Sequence, residues 1–472
     1  MTKETKSQAA LLKEKLIMEP KNSGSVMPDK QIQKAYDFCD GYKKFLNAAK
    51  TEMESVDYVL SKLIKRGFTE FDPQKKYAPG DKVYINNRGR ALLFAVIGNK
   101  PLADGVKIIA SHIDCPRIDL KSRPLYEESQ LAMLKTHYYG GVRKYQWVAT
   151  PLALHGVISK KDGETIPVVI GENDSDPVLC INDLLPHLAG EQNQRKLSEG
   201  IKGEELNVLV GSLPFKTEDS DKTTEKVKLN IMRLLNEKYD IVESDFLSAD
   251  LSLVPAFKAR DVGFDLSMMG GYGHDDRVCA YTSVMASFDA LKPEYTWINI
   301  LADKEETGSD GATGLDSRFL EYFVHDLARP YGISGSVVLQ NSECLSADVS
   351  VAFDPTFPDV TEKRNTSYIS YGVCLVKYTG SRGKSGTSEA TAEFAGKIRR
   401  LLDENKIIWQ TGELGKVDGG GGGTVAMFIA KLGVNVIDIG VPVLSMHSPF
   451  EVVSKTDVYN TYLAFKAFLA EK

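Results

Sequence analysis

Trp297-Ile298-Asn299-Ile300-Leu301-Ala302-Asp303-Lys304-Glu305-Glu306-Thr307-Gly308-Ser309 is a largely apolar, β-rich run that breaks into a loop of charged and small residues. A short apolar run bounded by such a loop predicts a strand buried on both faces, as in the interior of a parallel sheet. The same grammar recurs along the chain. Residues 106–110 run into Ser111-His112-Ile113-Asp114-Cys115-Pro116. Residues 434–439 lead to Ser445-Met446-His447-Ser448. Ser346-Ala347-Asp348 lies about six residues beyond a strand expected at 336–340. A fifth segment, Gly273-His274-Asp275-Asp276-Arg277, opens a helix instead.

Helical spacing lies between these strands. Val278, Tyr281, Val284, Met285, Phe288 and Leu291 share one face after Asp276, and Leu315, Phe319, Leu320, Phe323 and Leu327 follow the same rule. Further helices are expected at 30–66, near 388–402 and from Val458 to Leu469, and a hairpin at 82–97 around Asn86-Asn87-Arg88-Gly89. Strands alternating with helices predict an α/β fold, a mixed, mainly parallel sheet with helices on both faces. From about 123 to 256 the texture changes to short β-like runs, among them 147–154, 156–159, 166–170 and 206–210, separated by polar turns. The expected organisation is one α/β unit built from 1–122 and 257–472, interrupted by a β-rich insertion at 123–256. The charged stretch 217–226 reads as a mobile loop within it.

Composition narrows the function classes. The 472 residues carry 58 Lys and Arg against 64 Asp and Glu, a formal charge of −6, which lacks the basic footprint of a nucleic-acid or anionic-membrane binder. The N-terminus is polar, and no stretch approaches the ~18 apolar residues of a membrane span. Six cysteines are scattered without a C-x-x-C pair, which argues against disulfide frameworks and thiolate zinc knots and fits a reducing cytoplasm.

The five strand-end and helix-start segments supply two imidazoles and several carboxylates, a donor set that suits zinc, manganese or cobalt. In open α/β sheets such loops converge outside the carboxyl ends of the strands. Two metals ~3.5–4 Å apart need a bridging carboxylate, terminal ligands on each side and a base for the shared water. On an extended loop, adjacent Glu305 and Glu306 point different ways, so one can bind metal while the other faces the water. Each segment taken alone has a plainer reading: Asp275-Asp276 could cap a helix, and Glu305-Glu306 could be a solvated turn. His137, His155 and His325 read as surface or hydrogen-bonded histidines.

At these residues the chain resembles the aspartyl aminopeptidase family of di-zinc metalloaminopeptidases, of the aminopeptidase I type. The resemblance rests on Ala110-Ser111-His112-Ile113-Asp114, Asp275-Asp276, Asp303 to Ser309, Ser346-Ala347-Asp348 and Ser445 to Ser448, in the family's order. It implies an aminopeptidase holding two divalent ions per subunit and preferring acidic N-terminal residues. Asp275 would bridge the ions, His112 and Asp348 would complete one site, and Glu306 and His447 the other. Glu305 would be the general base, and Asp114 would orient a ligating imidazole. The resemblance also makes 123–256 a dimerisation domain and implies assembly into a homo-oligomer, a dodecamer in relatives. His187, in Leu185-Pro186-His187-Leu188-Ala189, falls near a family histidine that serves a neighbouring subunit's site. Many relatives carry a second histidine where this chain has Glu191, so a structural role for His187 stays open.

Gly419 to Gly423, five consecutive glycines before Thr424, predict either a flexible turn or a close backbone approach to substrate. Lys377, Arg382 and Lys384 are candidates to pair an acidic side chain. Two other readings compete with the peptidase: a di-metal deacylase of N-acyl amino acids, separable by its indifference to a free α-amine, and a silent assembly protein, which would need a missing ligand or base.

Overall fold

The structure, a computed structural model, describes residues 6–218 and 222–472; the expected loop at 217–226 therefore lies in part outside the described residues. Its centre is a nine-stranded mixed sheet in the order Thr69–Glu70, Lys82–Asn87, Ala91–Val96, Trp297–Ala302, Lys107–His112, Glu343–Ala347, Asn435–Gly440, Val373–Val376 and Trp409–Thr411. The four strands from Trp297–Ala302 to Asn435–Gly440 are mutually parallel. Antiparallel neighbours, Ala91–Val96 and Val373–Val376, flank them.

Alternation along each central strand feeds two separate cores. Leu92, Phe94, Ile109, Trp297, Leu301, Leu345 and Ile437 face one side, where helices Asp29–Ala48, Glu52–Lys65, His274–Asp289, Ala392–Glu404 and Lys455–Leu469 cover them. Leu93, Ala95, Ile108, Ala110, Ile298, Ile300 and Cys344 face the other, beneath helices Phe319–Ala328, Gly335–Gln340 and Ala426–Ala430. Burial on both faces is why these strands read as unbroken apolar runs.

A second sheet of seven strands runs from Arg117 to Pro255, pairs entirely antiparallel and packs its own apolar core with helix Lys226–Tyr239. The run expected at 147–154 is a strand only from Leu152, the residues before it forming a turn, and it continues through the run expected at 156–159 as one strand, Leu152–Ser159. Gly156 only looks like a break: at φ +142 it lets the backbone of the neighbouring strand approach so closely that a Cβ would lie 1.9 Å from the Asp250 carbonyl oxygen.

One further expectation needs correction. Residues 336–340 belong to the short helix Gly335–Gln340, and the strand is Glu343–Ala347. A β-branched pair in the sequence was outweighed by packing of that turn against helix Phe319–Ala328, the usual tertiary override of local propensity. Ser346-Ala347 therefore ends the strand itself, with Asp348 immediately after. A third sheet, of strands Arg260–Val262, Met268–Gly271, Glu451–Ser454, Pro442–Leu444 and Ser350–Val351, has no counterpart in the sequence reading. Among the described residues no helix is long and apolar enough to cross a membrane.

Trp297 anchors the start of the central strand. It is fully buried, donates Nε1–H to the Ala290 carbonyl at 2.7 Å and stands edge-on to Phe94 at 5.9 Å between ring centroids. Trp297→Ala is expected to destabilise the chain by about 3–5 kcal/mol, read as a lowered midpoint in urea denaturation.

Candidate metal centre

Three adjacent parallel strands deliver three of the segments to one edge of the large sheet. His112 is the last residue of its strand and pairs in register with Ala302, just before Asp303; Asp348 follows the strand between them and Asn435–Gly440. The small third sheet brings the other two. Met268–Gly271 feeds the helix that begins at His274, and His447 lies in the turn between Pro442–Leu444 and Glu451–Ser454.

These segments meet at Asp275. Its Oδ1 lies 3.1 Å from Nε2 of His112 and its Oδ2 lies 3.2 Å from Nε2 of His447. Asp348 Oδ1 and Glu305 Oε2 stand 3.8 and 4.0 Å from the His112 nitrogen, and Glu306 Oε1 stands 3.6 Å from that of His447. Asp276 turns away, its Oδ2 reaching the His112 amide at 3.4 Å. Both imidazoles are held from behind in the same way: Nδ1 of His112 faces the Asp114 carbonyl and Nδ1 of His447 faces the Gly141 carbonyl, each at 3.0 Å. With Nδ1–H donated to a carbonyl, the Nε2 lone pair is presented inward, the tautomer a metal requires.

The carboxylate of Asp114 does more than orient an imidazole. Oδ1 lies 3.4 Å from Nδ1 of His112 and accepts the Glu305 amide at 3.1 Å, while Oδ2 accepts the Glu306 amide at 3.2 Å and the Tyr139 hydroxyl at 2.7 Å. To offer two successive amides to one carboxylate the chain must turn tightly. Accordingly the glutamates open a 3₁₀ turn, Glu305–Thr307, after Lys304 at φ +69, and do not lie on the extended loop expected from sequence.

Sequence reasoning missed two buried acids. Glu451 accepts the His447 amide on Oε1 at 2.7 Å and the Asp275 amide on Oε2 at 3.0 Å, tying together the two loops that flank the centre. Asp438 accepts the hydroxyls of Ser346 and Thr424, each at 2.7 Å, and so pins the end of the glycine run to the sheet. An acid four residues past His447, and one inside an apolar strand, were the available signals.

So many acids in one buried place are electrostatically costly without cations. Burial, then the neighbouring Asp275 carboxylate, holds Glu306 well above the usual carboxylate range; burial, then Asp276, does the same for Asp348. Burial pushes Glu305 up to about 7 and Glu451 up to about 8. Burial opposes charge on His447, but its hydrogen bond to Asp275 and the nearby Glu306 outweigh it and raise the imidazole to about 10. Oε1 of Glu306 is buried with no hydrogen-bond partner among the described residues. Ligand atoms of His112, Asp275 and Asp348 lie within 4.8 Å of one another, as do those of Asp275, Glu306 and His447, and those of His112, Glu305 and Glu306. Divalent ions fit this donor set.

The centre opens into a cleft of about 700 Å³ walled opposite by Tyr378, Arg382, Lys384, Glu413, Lys416 and the glycine run. Gly420 and Gly421 are there for close backbone packing: a Cβ would fall 2.4 Å from the Leu414 carbonyl oxygen or 2.1 Å from that of Gly380. Lys377 and Lys384 both approach Glu389, at 3.8 and 2.8 Å, whereas Arg382 has no carboxylate partner among the described residues. His187 is exposed and is not among the residues lining the cleft within this chain. His155 is buried between Glu54 and Glu172, at 2.7 and 3.1 Å, and His137 and His325 are exposed, as the plainer reading expects.

The pattern of the aminopeptidase I zinc metalloprotease (M18) family matches residues 45–469. The chain belongs to the M18 family. It is a zinc metalloaminopeptidase, a peptide hydrolase. A curated M18 family aminopeptidase 1 of Clostridium acetobutylicum is 50% identical over 462 residues, covering 96% of this chain and 99% of that protein. The crystal structure of an M18 family aminopeptidase from Thermotoga maritima superposes with a TM-score of 0.90 at 42% identity, covering 96% of this chain and all of the other. A yeast protein solved as the mApe1 dodecamer shares the fold at 21% identity and a TM-score of 0.74, covering 93% of this chain and 97% of that one.

Because Asp114 holds both glutamate amides, Asp114→Asn puts an amide group where acceptors are needed. Metal retention or turnover is expected to fall about 10–100-fold with the fold intact, checked by metal analysis and circular dichroism side by side.

Proposed function

We propose that this M18 enzyme removes N-terminal residues, preferring Asp and Glu, from peptides with a free amine, using two zinc ions per subunit. Asp275 carries the reading: its two oxygens each face a different inward-pointing imidazole, and such a carboxylate would serve two ions at once. His112 and Asp348 complete one site, and Glu306 and His447 the other. Zinc, when bound, polarises the scissile carbonyl and makes water a better acid. Glu305, which lines the cleft beside the centre, takes the proton from the attacking water and delivers it to the leaving amine. Arg382, without a carboxylate of its own, receives the acidic side chain of the substrate.

The seven-stranded sheet is the dimerisation domain in this reading, and the chain assembles into a homo-oligomer of dodecameric type. A yeast relative solved as a dodecamer supports this, and closure would shelter sheet edges. Exposed His187 then reaches a neighbouring subunit's cleft. Six unpaired cysteines support a cytoplasmic location.

The overall reading is tested on zinc-loaded protein with a panel of aminoacyl anilides, each with an N-acetylated counterpart. Free-amine acidic substrates should turn over fastest and acetylated ones not at all; turnover of the acetylated set would identify a deacylase instead. Arg382→Met is expected to lower kcat/KM for aspartyl and glutamyl substrates about fivefold, the scale of one exposed ion pair, and to leave leucyl substrates unchanged. Glu305→Gln should slow turnover by ~10²–10⁴-fold while keeping both ions, whereas Glu306→Gln should release metal and recover activity at high zinc. Metal content and turnover measured together on both variants decide the assignment, and Glu305→Gln losing its metal would reverse the two roles.

A further inference from the structure

We infer that the turn Tyr139-Gly140-Gly141, which ends the strand Leu131–Tyr139 of the seven-stranded sheet, is a positioning part of the metal centre, with the Gly141 backbone setting the His447 imidazole. The inference rests on the reading of His447 as a ligand. Three consecutive residues make three different contacts with the centre. The hydroxyl of Tyr139 donates to Asp114 Oδ2 at 2.7 Å, on the same carboxylate that captures the Glu305 and Glu306 amides. The Tyr139 ring is itself held by the Arg117 guanidinium 4.1 Å from its centroid, and Arg117 is fixed by Glu52 at 2.9 Å. Gly140, at φ +72, passes so near Glu306 that a Cβ would stand 3.2 Å from both its Cβ and its Oε2.

Gly141 matters most. Its carbonyl accepts Nδ1 of His447 at 3.0 Å, and a Cβ on Gly141 would lie 2.9 Å from that nitrogen and 3.3 Å from Cε1. The ring thus occupies the space a side chain would take. His447 is about a third exposed, so packing alone does not hold its ring. The carbonyl behind it selects both the ring plane and the tautomer that turns Nε2 toward Asp275. Tyr139 pairs in register with Arg117, which ties the turn to a stiff antiparallel ladder. Backbone on the second sheet therefore aims a side chain carried by the third.

The test is the zinc content and zinc affinity of the full-length protein, Gly141→Ala and Tyr139→Phe, measured by equilibrium dialysis and elemental mass spectrometry, with thermal midpoints in excess zinc. The wild type should hold two ions. Gly141→Ala should hold one as tightly as the wild type and the other about 10–100-fold more weakly, with activity returning as zinc is raised and the midpoint in excess zinc unchanged. Tyr139→Phe, which removes a single oxygen from the support of Asp114, should weaken zinc binding about tenfold with the midpoint in excess zinc unchanged. Two ions held with unaltered affinity in both variants would overturn the inference. So would loss of both ions from Gly141→Ala together with a lowered midpoint in excess zinc, the mark of general damage. A wild type that holds fewer than two ions would instead overturn the two-ion reading beneath it.

Discussion

A buried carboxylate shared by two imidazoles sets the terms for everything around it. Asp275 lies 3.1 Å from one Nε2 and 3.2 Å from the other, and neither histidine is free to turn, because a backbone carbonyl holds each from behind. Such an arrangement demands that loops from separate parts of the chain be placed to within a few tenths of an ångström. The large sheet meets part of that demand by setting His112, Asp348 and the Glu305 turn at the ends of adjacent parallel strands, a rigid common edge. The rest is met by side chains that grip backbone.

Asp114 and Glu451 share one device. Each buried carboxylate accepts two backbone amides, from Glu305 and Glu306 in the first case and from His447 and Asp275 in the second. One rigid group fixes both amides at once in each case, and at Asp114, whose carboxyl is held below its usual range, the N–H contacts to an ionised acid are stronger than those between neutral pairs. The loops of the centre are thereby clamped through their main chain, leaving the side chains of Asp275, Glu305, Glu306 and His447 free to face inward. Burial first, and the crowding of negative charge second, raise Glu306 and Asp348, a stress that a bound divalent cation would relieve.

The three sheets divide the labour. The large sheet supplies three strand ends, the small sheet carries Asp275 and His447, and the seven-stranded sheet closes the back of the centre with its turn at Tyr139 to Gly141. Opposite, the glycine run lets two backbones pack closely at Gly420 and Gly421 and lines the cleft of about 700 Å³.

What the sequence by itself determined was whatever is written in local pattern. Double-sided burial leaves continuous apolar runs, so the strands ending at His112 and Ala302 and the α/β class were legible, as were the five segments bearing His, Asp and Glu. Length-independent chemistry made the donor set readable too, since two imidazoles among carboxylates suit few things besides divalent metal. Local pattern failed where packing outweighed it, as at Gly335–Gln340, a helix built on a strand-like run, and at Gly156, a glycine inside a continuous strand. Only the tertiary structure decided the rest. The third sheet pairs short strands from distant parts of the chain, and the contacts of Glu451 with Asp275, Asp438 with Ser346 and Gly141 with His447 each join residues far apart through a single hydrogen bond. Such contacts leave no periodicity behind them, because one backbone carbonyl serves as well as any other until the fold places it.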